Sequence, residues 1–354
     1  MGTKERARPR LLLMGCGAVG GVIAGGLLRA EHDLAIVTHN ADIAAAINTD
    51  GLRVITPDGA WTVPAAAHVH LDEVEGSFDA AYLAMKATAV EEAARRVAPR
   101  LSPPGYVVTL QNGVVEDCVA EILGREHIVG ALVGWGATMH APGVYEMTSR
   151  GELVVGELDG RVTPRVQALK AVLDAAAPTT VSANIYGVLW SKLAINCVIT
   201  ALGAASGQLL GQMLRRTDVR RLALTMISET IDVARASGIR LEPVGGTLNL
   251  ERLYLPPGRR SGGLGLDLAV KHAIMLLVGL RFRKLKSSML QSLERGRRPE
   301  IDFMNGYVVA RGREAGVPTP VNAALAAMVR EIEAGVRPIT PDNLAELAVH
   351  VGQK

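Results

Sequence analysis

A chain of 354 residues has length for two domains, and 49% hydrophobic against 21% charged residues describes a globular protein and excludes a disordered one. The formal net charge of +3 is too small to imply nucleic acid, and at 3% aromatic content few rings are available for bases to stack on. No apolar stretch runs the length of a membrane span unbroken, and the polar, basic first ten residues lack the apolar core of a secretion signal, which predicts a cytoplasmic protein with no membrane partner.

The apolar run Leu11-Leu12-Leu13 leads into Met14-Gly15-Cys16-Gly17-Ala18-Val19-Gly20 and then into an apolar helical pattern from Val22 to Leu28. This reads as strand, glycine turn and helix. Gly15 permits the tight turn, Gly17 leaves room for a pyrophosphate against free backbone N–H groups, and Gly20 lets the helix lie close to its strand. The spacing predicts a dinucleotide held by Gly15, Cys16, Gly17, Ala18, Val19 and Gly20, with an ordinary glycine turn as the alternative. Leu34-Ala35-Ile36-Val37 is the second predicted strand, ending at Thr38-His39-Asn40 before an alanine-rich helix from Ala41. An acid at that strand end selects NAD, and a basic group accommodates the 2′-phosphate of NADP. His39 stands there, while Asp42 belongs to the helix start, where it complements the dipole. The missing acid leans toward NADP, and the missing arginine keeps NAD open.

From Gly51 to Val69, β-branched residues and the Pro57-Asp58-Gly59 turn predict a short hairpin on the edge of the sheet. A buried strand follows from Phe78 to Ala84, ending at Met85-Lys86-Ala87, then a helix through Val97. Pro103-Pro104-Gly105 breaks the chain before a strand from Tyr106 to Leu110, which ends at Gln111-Asn112-Gly113 ahead of a helix near Val115. Such repetition predicts a parallel sheet covered on both faces, with ligands bound beyond the carboxyl ends of its strands. Lys86 and Asn112 sit at two of those ends; taken alone, the first is equally a solvated cap and the second part of a plain turn. His127 to Val155 predicts two or three more strands extending the sheet antiparallel, and Arg161 to Leu173 a surface helix. Past Thr179-Thr180-Val181 the pattern becomes helical, which places a domain boundary between 1–182 and 183–354.

Tyr186 to Ala205 is a long apolar helix in which Lys192 and Asn196, four residues apart, share one face. Burial lowers a lysine's pKa, as a general acid for a carbonyl that receives hydride requires; a lysine snorkelling from the helix edge is the alternative. Later come Lys286-Ser287-Ser288-Met289-Leu290-Gln291 and Pro299-Glu300-Ile301-Asp302, the latter opening a helix with Asn305-Gly306. Glu300 there can serve as a dipole or capping group, and Ser288 as an ordinary helix residue. Basic clusters at Arg259-Arg260, from Arg281 to Lys286, and at Arg295, Arg297 and Arg298 read as solvated faces with room for an anionic substrate. Cys16, Cys118 and Cys197 lie far apart without a CxxC pair or histidine cluster, so buried free thiols and no metal site are expected. Thr340-Pro341-Asp342 predicts a final helix through Val349, with Thr as cap and Pro in the first turn.

Taken in order, Gly15-Cys16-Gly17-Ala18-Val19-Gly20, Met85-Lys86-Ala87, Gln111-Asn112-Gly113, Lys192-Leu193-Ala194-Ile195-Asn196, Ser287-Ser288-Met289-Leu290-Gln291 and Glu300-Ile301-Asp302 resemble the ketopantoate reductase family, from about Arg10 to about Ile332. The resemblance implies an α/β fold, with a Rossmann-type doubly wound sheet followed by an all-α domain and a site in the cleft between them. It further implies NADPH-dependent reduction of 2-dehydropantoate to pantoate. Lys192 would be the general acid, Asn196 and Asn112 polar partners near nicotinamide and substrate, and Ser288 a contact for the substrate carboxylate. Glu300 would orient the site beside the cofactor, with Lys86 and His39 as further cofactor contacts. Membership in the wider β-hydroxyacid dehydrogenase-like class, or a non-catalytic dinucleotide-binding role, is the alternative.

The chain also departs from that family. His39 replaces its usual arginine, Thr200-Ala201 stand where an Asn-Pro pair is common, and Leu210 and Leu285 occupy positions of substrate-side asparagines. Polar groups are what let a site discriminate by hydroxyl, so a small keto acid is a firmer expectation than ketopantoate itself, and a bulkier keto acid or an imine stays open. The segment 243–280, with Pro256-Pro257-Gly258, Ser261-Gly262-Gly263 and an apolar helix from Leu266 to Leu280, exceeds the family's usual length and is expected to be a lid or a homodimer contact.

Overall fold

The computed structural model describes residues 8–244, 248–260, 262 and 265–351. The chain forms two compact units, one running to Ile185 without Asn112–Val114, and one made of Asn112–Val114 and the chain from Tyr186 onward.

The first unit contains, in order, β1 (Leu11–Met14), α1 (Ala18–Arg29), β2 (Leu34–Val37), α2 (Ala41–Asp50), β3 (Leu52–Thr56), β4 (Gly59–Val63), β5 (Ala67–His68), β6 (Phe78–Leu83) and α3 (Val90–Val97). It continues with β7 (Leu101–Thr109), α4 (Glu116–Leu123), β8 (Ile128–Val133), β9 (Ala137–Ala141), β10 (Val144–Met147), β11 (Leu153–Glu157), α5 (Pro164–Leu173) and β12 (Thr179–Val181). Eight strands form one sheet in the order β12-β11-β8-β7-β6-β1-β2-β5. β1 lies between two parallel neighbours, Leu11–Met14 pairing with Leu34–Val37 on one side and Ala80–Leu83 on the other. All four of its residues are buried, which is why the strand reads as an unbroken apolar run rather than an alternating one. The chain turns first toward β2 and then crosses to β6, so the strand order reverses at β1, as in a doubly wound Rossmann-type sheet.

Two expectations for the connecting strands are corrected. The β3–β4 hairpin does not sit on the edge of the main sheet but in a second one, of order β4-β3-β10-β9, where β10 joins β3 in parallel. Of the strands between His127 and Val155, β8 pairs in parallel with β7, β11 is antiparallel to β8, and β9 and β10 belong to the second sheet. The reason lies in α1, whose glycines clear a face for that sheet: a Cβ at Gly21 would meet the Tyr145 ring at 2.4 Å, and one at Gly25 would meet Val54 at 2.2 Å. β7 starts at Leu101, ahead of the prolines; Phe78 pairs with Leu101 and Ala80 with Tyr106, so the register shifts across Ser102–Gly105, where proline forfeits no ladder bond. α5 begins at Pro164, capped by Thr163, whose hydroxyl accepts from the Val166 N–H at 3.3 Å; Arg161 lies before it.

The second unit is helical: α6 (Ile185–Ser206), α7 (Leu210–Met213), α8 (Thr217–Ala236), α9 (Leu266–Arg281), α10 (Ser288–Glu294), α11 (Asn305–Glu314), α12 (Pro320–Glu333) and α13 (Asn343–Ala348). Among the described residues one helix is long and apolar enough by length and composition to cross a membrane: α6, with 22 residues, interrupted by Lys192. In the fold, 72% of its most apolar window is buried, so a core position explains its composition. The helix expected to open at Pro299 is instead one 3-10 turn at Ile301–Phe303, broken at Met304 before α11. α13 starts later than expected, since the Thr340 carbonyl accepts from the Asn343 N–H at 3.2 Å and so forms the turn preceding the helix. Buried Glu229 of α8 accepts from the Val321 and Asn322 N–H groups, both at 3.0 Å, placing a carboxylate at the N-terminus of α12. Of the Ser261-Gly262-Gly263 turn, Ser261 and Gly263 fall outside the described residues. The thiols are free; Cys16 and Cys197 are buried, whereas Cys118 is only half-buried.

Candidate active site

Three of the sequence motifs meet at the carboxyl ends of β1, β6 and β7, where the strand order reverses. The Gly15 N–H donates to the Val37 carbonyl at 2.8 Å, continuing the β1–β2 ladder into the turn. Gly15 adopts a φ of +97°, and a Cβ there would lie 2.7 Å from the Met85 nitrogen, so only glycine fits both the turn and the neighbouring strand end. A Cβ at Gly20 would come within 2.1 Å of the Gly15 carbonyl oxygen. Gly17 is different: it caps α1 without a side-chain hydrogen bond, no acid occupies the first turn, and an added Cβ would meet nothing within 4 Å. The space in front of it is open, the N–H groups of the helix face it, and the dipole favours an anion. These features fit the pyrophosphate of a dinucleotide.

Gln111, to which the sequence reading gave no role of its own, ties the strand ends together. Its Nε2 donates to the carbonyls of Leu83 at 2.8 Å and Met85 at 3.1 Å, and its Oε1 accepts from the Leu110 N–H at 3.1 Å. The clamp sets the place of Lys86, half-buried just beyond β6, and of the Asn112 turn just beyond β7. At the end of β2, Asn40 is committed to capping α2, its Oδ1 accepting from the N–H groups of Asp42 at 2.9 Å and Ile43 at 3.2 Å, which leaves His39 as the exposed side chain at the strand end. Cys16 is not a nucleophile: burial pushes its thiol up to about 11, and Tyr145 holds it from the second sheet, donating to the Cys16 carbonyl at 2.9 Å.

In the second unit, Lys192 and Asn196 lie one turn apart on α6, both half-buried, among the buried Leu189, Trp190, Leu193, Ala194 and Cys197. Burial pulls the Lys192 ammonium down to about 8, and the Glu300 carboxylate opposes that fall. Glu300 does not cap the turn it precedes with its side chain. It is held from both sides of its own segment: Ile301 is fully buried, and Asp302 accepts from Arg330 of α12 at 2.6 Å and from Arg298 at 3.2 Å. Asn112–Val114 group with this unit, and their contact is close. Gly113 has a φ of +92°, and a Cβ on it would lie 2.3 Å from the Phe303 carbonyl oxygen, so the Asn112 turn rests against the turn that Glu300 opens.

Ser288 stands exposed at the first position of α10, and its neighbour Ser287 makes the connection to α6. The Ser287 hydroxyl donates to the Thr200 carbonyl at 2.6 Å and accepts from the Leu290 N–H at 3.0 Å, while Gly203 leaves just the space its Cβ needs. Thr200 is buried, with its hydroxyl donating to the Asn196 carbonyl at 2.7 Å. Leu210 is buried and Leu285 exposed, the Leu210 N–H donating to the Leu285 carbonyl at 3.1 Å. Among the described residues no group of acidic, histidine or cysteine side chains could hold a metal ion.

Residues 11–160 match the family model of the ketopantoate reductase PanE/ApbA, and residues 184–333 match that of its C-terminal part. The crystal structure of a PanE/ApbA family ketopantoate reductase from Ralstonia eutropha JMP134 superposes with a TM-score of 0.77 at 31% identity, covering 92% of this chain and 99% of that one. The chain belongs to the ketopantoate reductase family. The 2-dehydropantoate 2-reductase of Mesorhizobium japonicum is 29% identical over 350 residues, 91% of this chain and 97% of the relative. A D-mandelate dehydrogenase solved with NADH and anilino(oxo)acetate shares the fold, with a TM-score of 0.77 at 20% identity. Membership makes this ketopantoate reductase homologue an oxidoreductase acting on a CH–OH group, and its glycine turn fits the nicotinamide cofactor that the family and fold imply.

Proposed function

We propose that this chain reduces a 2-keto acid to the 2-hydroxy acid with NADPH, as the names of its relatives suggest for 2-dehydropantoate, and that Lys192 is the general acid. One observation carries the reading: a lysine with its pKa brought down to about 8 by burial, kept from falling further by Glu300. When bound, reduced nicotinamide supplies a hydride. As the substrate's keto carbon is reduced, its oxygen gains negative charge, and the Lys192 Nζ donates the proton that neutralises it. Glu300 keeps that ammonium charged between turnovers. Asn196, one turn along α6, offers an amide donor to the same oxygen, and Asn112 a second polar contact. The Ser288 hydroxyl receives the substrate carboxylate on this reading, and Ser287 ties α10 to α6. Gly15 to Gly20 receive the pyrophosphate, Lys86 lies close to the cofactor, and His39 accommodates the 2′-phosphate. On this reading the protein is a cytoplasmic enzyme of pantothenate biosynthesis.

A second substrate reading starts from Leu285 and Leu210 in the sequence. By the resemblance to the family, both stand at positions of substrate-side asparagines, and losing those polar groups favours a bulkier and more apolar keto acid over ketopantoate. NADPH oxidation with ketopantoate, beside a panel of bulkier 2-keto acids, tests both. In Lys192→Ala, kcat with the best substrate should fall by roughly two orders of magnitude or more while NADPH still binds. Near-normal turnover would remove Lys192 from the mechanism, and no turnover of any panel member by the intact protein would remove the reductase reading.

A further inference from the structure

Tyr145 of β10 is buried, and its ring lies on α1 at Gly21, where an added Cβ would meet it at 2.4 Å. That seat carries its hydroxyl into the glycine turn, where it donates to the Cys16 carbonyl at 2.9 Å. The hydroxyl has one proton to give, so the Cys16 thiol, 3.3 Å away, is the donor in the second contact, and burial keeps that thiol protonated by pushing its pKa up to about 11. Cys16 thus encloses the tyrosine hydroxyl, its carbonyl accepting and its thiol donating. The neighbouring carbonyls are held by the turn's own helix. That of Gly15 lies against Gly20, whose added Cβ would meet it at 2.1 Å, and that of Gly17 accepts from the Gly21 N–H at 2.8 Å. The Cys16 carbonyl instead depends on a partner 129 positions along the chain.

We propose that Tyr145 is a positioning residue for the dinucleotide, resting on the reading of this turn as the pyrophosphate site: by holding the Cys16 carbonyl it turns the Gly17 N–H toward the anion. In a trans peptide the C=O and the following N–H point in opposite directions, and among the described residues no peptide bond is cis. A carbonyl fixed toward Tyr145 therefore sends the Gly17 N–H away from β10. Among the described residues the Cys16 and Gly17 N–H groups have no acceptor within the chain, which leaves both for a ligand. With a glycine on each side, Cys16 sits in permissive backbone, and a released Cys16–Gly17 peptide would be free to turn its carbonyl oxygen to the phosphate instead. The second sheet thereby acquires a task. β10 pairs in parallel with β3, Tyr145 opposite Val54, and Val54 lies against Gly25, so the sheet grips α1 at two glycines and holds the turn that precedes it.

Calorimetric titration of the full chain measures the effect without turnover. Tyr145→Phe keeps the ring on Gly21 and removes only the hydroxyl, so the dissociation constants for NADPH, NADH and ADP, which share the pyrophosphate, should all rise about ten-fold. Gly21→Ala pushes the same ring aside and should raise the same three constants. Glu146→Gln, the next residue of β10, breaks an exposed pair with His140 and should leave them as they are. In turnover, KM for NADPH of Tyr145→Phe should rise about ten-fold while kcat at saturating NADPH falls less than about two-fold. Unchanged affinity for ADP in Tyr145→Phe would overturn the proposal. So would an equal loss of affinity in Glu146→Gln, or a fall in kcat as large as the rise in KM, since either would mark a general loosening of the fold. A wild type that binds neither NADPH nor ADP would remove the reading of the glycine turn itself.

Discussion

The negative charge of Glu300 acts on Lys192 and offsets part of what burial takes from the lysine's proton affinity. The two come from different elements, α6 and the turn at Ile301–Phe303, and each is held by packing of its own. Reduction needs the ammonium form, so kcat should fall as pH rises through about 8. Glu300→Gln removes the charge that raises the lysine's pKa, so the same alkaline limb should appear at lower pH. Profiles of kcat against pH for the two proteins make the comparison. A limb that stays in place would mean Glu300 does not govern the proton on Lys192.

Gly17 and Gly20 should behave in opposite ways. Gly17→Ala places its new methyl in open space, so the melting temperature should change little; on the proposed pyrophosphate site the methyl would stand in the way, and the dissociation constant for NADPH should rise by an order of magnitude or more. Gly20→Ala drives a methyl to 2.1 Å from the Gly15 carbonyl and should lower the melting temperature by several degrees without any ligand present. Thermal denaturation with and without cofactor separates the two effects. An equal loss of stability in both variants would count against a phosphate site at Gly17.

Selectivity between cofactors should turn on His39. Because Asn40 is spent on capping α2, His39→Arg should tighten NADPH binding several-fold with little change for NADH, and His39→Asp should reverse the preference. Shifts in melting temperature at equal cofactor concentrations read this out. Stronger stabilisation of the native protein by NADH than by NADPH would reverse the assignment.

Buried Glu116, at the start of α4, accepts from the Thr109 hydroxyl at 2.7 Å and the Val115 N–H at 3.0 Å, yet burial still pushes its carboxyl up to about 7. A carboxyl raised in the folded state binds its proton more tightly there than in the unfolded chain. Stability is therefore fully present below the unfolded pKa near 4.5, and falls as pH rises from there to about 7, by up to about 3 kcal/mol. Glu116→Gln should flatten that slope, as measured by urea denaturation between pH 5 and pH 8. An unchanged slope would place the pH dependence elsewhere.

Much of this arrangement is legible residue by residue. Leu11-Leu12-Leu13 before the glycine turn reads as a doubly buried strand because a parallel sheet covered on both faces leaves it no polar side. The spacing of Lys192 and Asn196 reads as one helix face because the helical period allows nothing else. What could not be read is who pairs with whom. β3 and β10 alternate like strands of any sheet, and their removal to a second sheet depends on α1 closing against Tyr145 and Val54. Gln111, Ser287 and Asp302 are ordinary polar residues in sequence; their partners Met85, Thr200 and Arg330 lie 26, 87 and 28 positions away.

The amino-acid sequence by itself determined the local elements, the glycine turn and the candidate proton donor, because these follow from periodicity, backbone freedom and the chemistry of single side chains. Only the tertiary structure decided that burial, opposed by Glu300, lowers the Lys192 pKa, that Gly17 faces open space while Gly20 faces a carbonyl, and that one face of α9 is left uncovered. Burial and the charge of a distant neighbour set each of these, and both come into being only when the chain is packed.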